Sequence, residues 1–168
     1  MATALTRLSS FNRQLCRICL WGSAAGLVLM TVIIGIQVFG RYVLSSTPNW
    51  SEKFCLLLMI YYIMFAAAAG VHDKTHIGLA FLAAVLPGPV KRVTDVFVAL
   101  SMGLFGCGMT WFGWQMVQST WTHVIPTLGL PVGLSYLPFP LAGLLFILFS
   151  LEHTVALLTG AEVLPSWN

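Results

Sequence analysis

Residues 18–40 read ICLWGSAAGLVLMTVIIGIQVFG, 23 consecutive positions without a charged side chain. A helix needs about 20 mostly apolar residues to cross roughly 30 Å of hydrocarbon, so this run is long enough to span a membrane. An apolar run near an N-terminus can instead be a secretory signal, with Arg7, Arg13 and Arg17 as its basic flank. The apolar part of such a signal is only about 7–15 residues long, so the length here predicts a retained helix. Three further runs follow at 54–71, 96–121 and 134–158, and charge enters them only as Glu152, beside His153, near the end of the last. Pro138 and Pro140 fall in the first turns of the fourth run, where a missing N–H breaks no helical hydrogen bond.

The rest of the chain agrees. Of 168 residues, 58% are hydrophobic and 8% charged, against about 25% charged in an ordinary soluble domain. So little charge excludes a soluble globular protein and a disordered one. The net charge of +3 comes from basic residues that form no dense run, which excludes most nucleic-acid binders. The longest piece between spans is 24 residues, His72 to Asp95, below the roughly 40 residues a soluble domain needs to fold unaided. The expected fold is therefore all-α and integral to the membrane, a single four-helix domain over residues 1–168. Within the second loop, Ile77 to Leu86 is apolar but too short to span, and Pro87-Gly88-Pro89 stops it; a short helix lying in the interface is expected there. Lys and Arg set orientation through the short loops. Six lie in the N-terminal tail and second loop and two, Arg41 and Lys53, in the first loop, so both termini are expected in the cytoplasm.

Few residues could carry chemistry. Cys16 and Cys19 form a C-x-x-C, which is half a zinc site or a redox pair, or two small residues one turn apart on a helix; a zinc site would need two more ligands. Cys55 and Cys107 stand singly in apolar spans and read as packing residues. His72, Asp73 and His76 are close enough in sequence to bind a metal, but read more simply as a solvated loop. Histidines paired within spans would suggest haem; only His153 lies in one. Glu152 falls just inside the cytoplasmic interface, where Lys91, Arg92 or Arg17 could pair with it. Gln37 is the one strongly polar side chain deep in the first span and is expected to hydrogen-bond another helix. Gly22 with Gly26, and Ala66 with Gly70, have the four-residue spacing that lets helices approach. Trp50, Trp111, Trp114, Trp121 and Tyr136 fit an aromatic belt. No nucleophile–base arrangement or phosphate-binding glycine loop occurs, so neither an enzyme nor a cofactor is expected. Four unbroken spans with no repeat and no midplane charge do not resemble a secondary transporter acting alone. They suit an accessory subunit.

Particular residues narrow this. Gln37-Val-Phe-Gly-Arg41-Tyr-Val-Leu44, then Pro48-Asn-Trp50-Ser-Glu52, resembles the end of helix one and the start of helix two in the small membrane subunit of tripartite ATP-independent periplasmic (TRAP) transporters. The similarity continues through Ala66-Ala-Ala-Ala-Gly70, a charged turn, His76-Ile77 and Leu86-Pro87, then Thr127-Leu-Gly-Leu-Pro131 and Tyr136-Leu-Pro138. It departs at Lys53, where the family often has a second acid. The resemblance implies an accessory scaffold subunit in the bacterial inner membrane. Its partner would be a large multi-helix subunit that carries substrate and sodium ions, supplied by a periplasmic solute-binding protein. The substrates implied are organic acids such as dicarboxylates, keto acids or sialic acids. Arg41, Trp50 and Glu52 match the outer-rim motif and His76 the inner turn, as candidate contacts to the partner or to phospholipid. Two other classes compete: a membrane anchor of a redox complex, which would need haem or quinone ligands, and a small self-contained channel or exporter.

Overall fold

A computed structural model of the protein describes residues 2–46, 48–73 and 88–159. The elements in chain order are α1 (Ala2–Tyr42), α2 (Ser51–His72), α3 (Gly88–Thr120), β1 (Val124–Ile125), β2 (Leu130–Pro131), α4 (Gly133–Tyr136) and α5 (Pro138–Thr159). Four stretches are long and apolar enough to cross a membrane: Ser9–Tyr42, Ser51–His72, Val93–Thr120 and Gly133–Leu157. Each contains or closely overlaps one of the expected runs. The region expected to form an interfacial helix, Ile77 to Leu86, and His76 beside it, lie outside the described residues.

The helices outrun the apolar runs wherever no stop signal intervenes. α1 has 41 residues, about 61 Å at 1.5 Å per residue, twice the hydrocarbon thickness. Its first third is polar, but residues 2–17 contain neither proline nor glycine, so nothing ends the helix at the membrane surface. α3 begins at Gly88-Pro89; proline suits a first helical turn because its absent N–H has no partner to lose there. At the other end of α1, Ser45 adopts a left-handed backbone (φ 51°). That turns the chain so that the Ser46 N–H donates to the Gly40 carbonyl at 3.1 Å. A Cβ at Gly40 would lie 2.8 Å from the Ser46 carbonyl oxygen, so glycine is what the turn accommodates.

The fourth span is segmented. α4 and α5 are separated by Leu137, whose own backbone is helical (φ −56°, ψ −34°). The path stays helical, with Leu137 N–H bonded to Gly133 O at 3.1 Å; because it already begins at Gly133, Pro138 and Pro140 fall past its first turn and interrupt the hydrogen-bond ladder, where an unbroken span was expected. The third loop adds a feature not foreseen, a two-residue antiparallel ladder pairing Val124 with Pro131 and Ile125 with Leu130. Gly129, at φ +67°, closes its turn.

Each helix packs on its neighbours in the order α1, α2, α5, α3. α1 and α3 flank this row, and only 11% and 17% of their most apolar windows are buried, against 44% for the fourth span. The α3–α5 contact is the closest. A Cβ at Gly106 would meet Gly143 O at 2.8 Å and Phe146 Cβ at 2.9 Å, so the two backbones approach as small residues permit. The hydroxyl of Ser150 donates to Ala99 O across the same contact. Between α1 and α2, Ser23 Oγ donates to Tyr62 O at 3.0 Å, and Gly26 lies against the Tyr62 side chain. Gly22 is exposed and a Cβ there would meet nothing within 4 Å, so only half of that glycine pair lies at the contact. The Tyr61 hydroxyl donates to Leu134 O at 2.9 Å, tying α2 to α4.

Candidate functional site

Two groups of polar residues sit at opposite ends of the α1–α2 pair. The first is at the α1–α2 connection. Arg41 occupies the last turn of α1 and Glu52 the first turn of α2, where their charges favour the helix dipoles by about 0.3–1 kcal/mol each. Arg41, Trp50 and Glu52 are all exposed. The Trp50 ring meets Phe54 edge-on at 6.1 Å. The turn itself is held by Ser51, buried, whose hydroxyl donates to Pro48 O at 2.8 Å. At this rim a cation, an indole and a carboxylate are thus exposed close together in sequence.

The second group lies where α1 begins and where α2 and α5 end. His72 is the last residue of α2, only 2% exposed. Its Nδ1 donates to Asp73 Oδ1 at 2.9 Å, and its Nε2 lies 3.8 Å from Glu152 Oε2. Asn12, about a quarter of the way along α1, donates through Nδ2 to the same Glu152 oxygen at 2.7 Å. His153 Nε2 donates to the carbonyls of His72 and Val71, at 3.0 and 3.2 Å. The thiol of Cys16 donates to Ala69 O at 3.7 Å. Apolar packing seals the group: the core of Cys16, Cys19, Ala68, Ala69, Val71, Leu145, Phe146 and Phe149 is at this end, and the Phe149 ring meets His72 edge-on at 5.1 Å. Among the described residues, Asn12 Oδ1, His72 Nε2 and Glu152 Oε1 are buried without a hydrogen-bond partner.

Several expectations are corrected here. His72 and Asp73 are not a solvated loop; α2 runs one residue beyond the apolar run and carries His72 inward. Glu152 is held by the Asn12 amide and faces the His72 imidazole, where a Lys or Arg partner was expected. Asn12 was out of view because its segment read as a tail, although the continuous α1 brings it against α5. Cys107 is exposed, not packed, while Cys55 is buried as expected. Gln37 is half-buried, and among the described residues it makes no hydrogen bond to another helix. The usable signal for the buried group was the clustering of adjacent polar pairs, His72-Asp73 and Glu152-His153, at the same end of two antiparallel spans.

Four apolar crossings with charge kept to their ends define a multi-pass helical membrane protein. Residues 30–160 match the family described as tripartite ATP-independent periplasmic transporters, DctQ component. The chain belongs to this family, whose members are transporter subunits. Among its relatives, the sialic acid TRAP transporter permease protein SiaT of Haemophilus influenzae is 32% identical over 78 residues, 45% of this chain and 13% of that protein. A second Haemophilus influenzae relative, of the TRAP small permease class by name, is 28% identical over 120 residues, covering 71% of this chain and 74% of its own length. The C4-dicarboxylate TRAP transporter small permease protein DctQ of Rhodobacter capsulatus is 28% identical over 124 residues, 71% of this chain and 49% of that one. The chain thus spans under half of the length of the Rhodobacter relative and a small part of SiaT.

Proposed function

We propose that this chain is the bracing subunit of a sodium-coupled uptake system for organic acids. In this reading it is one membrane domain in the bacterial inner membrane, with both termini in the cytoplasm. It holds a large multi-helix permease fed by a periplasmic solute-binding protein. The observation that carries the reading is family membership over residues 30–160 in a chain whose spans hold charge only near their ends. A polar solute or an ion crossing through this chain alone would meet no charged side chain at the midplane, which is where transporters bind their cargo. The names of relatives, sialic acid for one and C4-dicarboxylates for another, support an acidic substrate. The weakly buried α1 and α3 leave long apolar faces available for a partner as well as for lipid.

At the periplasmic rim, Arg41 and Trp50 hold the large subunit or a phospholipid headgroup, and Glu52 sets the local charge; His76 serves the corresponding turn on the inner side. The test is reconstitution into liposomes under an inward sodium gradient. The chain alone is expected to give no uptake of C4-dicarboxylates or sialic acid, and the chain with its large permease and binding protein to give uptake of one acid class. Uptake by the chain alone would overturn the reading. For the rim, Arg41→Ala is expected to reduce co-purification with the large subunit while the isolated chain folds normally. Normal assembly and transport by the Arg41→Ala, Glu52→Ala double variant would remove the rim from the account.

A further inference from the structure

We infer that the buried polar group where α1 begins and α2 ends is a binding site for a thiophilic divalent cation of the Zn2+ class. One ligand atom each from Cys16, His72 and Asp73 lies within 4.8 Å of the other two. Zn2+ holds sulfur at about 2.3 Å and imidazole nitrogen at about 2.0–2.1 Å, so an S···N separation in a tetrahedral site is about 3.6 Å. The donors therefore need to close by about an ångström, not to reorganise. A thiolate with an imidazole and a carboxylate selects Zn2+ or Co2+ over Mg2+ and Ca2+, which take oxygen.

An independent observation at the same place points to a ligand. His72 donates from Nδ1 to Asp73, which in the neutral ring leaves a bare lone pair on Nε2, facing the Glu152 carboxylate at 3.8 Å. In that tautomer two electron-pair donors face each other in a buried site, and among the described residues neither His72 Nε2 nor Glu152 Oε1 has a hydrogen-bond partner. A metal on Nδ1 resolves this. The His72 proton moves to Nε2 and is donated to Glu152, while the Nδ1 lone pair and Asp73 turn to the ion. Binding M2+ expels the Cys16 thiol proton to solvent, so one proton leaves per ion bound. Glu152, oriented by Asn12 at 2.7 Å, becomes the carboxylate behind the ligating histidine, an arrangement common at zinc sites. The ion would pin α1 to the end of α2. It also gives half of the C-x-x-C the further ligands that the sequence alone did not supply.

The test uses the full chain in detergent, stripped with a chelator and titrated with Co2+. One equivalent is expected to bring up a thiolate-to-cobalt charge-transfer band and the visible bands of a tetrahedral centre, and one equivalent of Zn2+ to abolish them; Mg2+ is expected to do neither. Cys16→Ser and Asp73→Asn should remove the band, Cys19→Ala should retain it, and Glu152→Gln should weaken affinity about 10–100-fold. As a measurement that leaves every ligand intact, a variant with Cys19, Cys55 and Cys107 replaced by alanine is alkylated with and without Zn2+. Zinc is expected to slow modification of Cys16 at least tenfold. Absence of the charge-transfer band, its survival in Cys16→Ser, or an alkylation rate indifferent to Zn2+ would overturn the proposal.

Discussion

Asn12 and Glu152 are 140 positions apart and share a 2.7 Å hydrogen bond in a site that excludes water. A buried polar group that loses its partner costs about 1–3 kcal/mol. Asn12→Ala is therefore expected to lower the thermal midpoint of the purified chain, and Asn12→Asp, which sets a second carboxylate against Glu152, to lower it further. Circular dichroism in detergent at fixed lipid content checks both; an unchanged midpoint in Asn12→Ala would show that the bond contributes nothing net. Contacts of this kind are not legible in sequence, because neither periodicity nor local spacing relates residue 12 to residue 152. By contrast, the positions of Arg41 and Glu52 at facing helix ends were legible, since both are fixed by where an apolar run stops.

Between helices, glycine is informative only where something approaches it. Gly143 and Gly106 lie in backbone contact across α3 and α5, whereas Gly22 faces open space. Gly143→Val is expected to force the two helices apart, with an overpacking cost of about 1–3 kcal/mol, and Gly22→Ala to leave stability within about 0.5 kcal/mol. Denaturation of both variants by a graded ionic detergent separates the cases; equal sensitivity would contradict the packing described. All four spans were legible because the membrane sets one length and one polarity for each. The helix ends were less so. Hydrophobicity marks where the bilayer stops, while a helix can run on past that point where no proline or glycine intervenes, and residues 2–17 hold neither. That is why α1 is 41 residues long and not 23, and why the break at Leu137 between α4 and α5 follows its prolines.

For the molecule as a whole, the asymmetry of basic residues predicts a testable orientation. Single cysteines at Ser46 and Thr75, placed in a variant lacking the native four, are expected to differ. An impermeant thiol reagent outside the cell should label the first and spare the second. Labelling at Thr75 in intact cells would invert the proposed topology. The neighbour order α1, α2, α5, α3 was not legible from the spans: it depends on the α3–α5 glycine contact and on the buried polar group, both of which join segments distant in sequence.

The buried polar group also has a consequence in time. Synthesis runs at about 5–20 residues per second, so Asn12 is made roughly 7–30 s before the Glu152 that completes its hydrogen bond. His72 and Cys16 are likewise committed before α5 exists. Throughout that interval the nascent chain carries polar groups that await their partners on α5. A product ending at Thr120 would keep α1, α2 and α3 yet never bury these groups, and a pulse-labelled truncation is expected to be degraded faster than the full chain. In the order of synthesis, α5 is thereby the element whose arrival closes a site begun by α1 and α2.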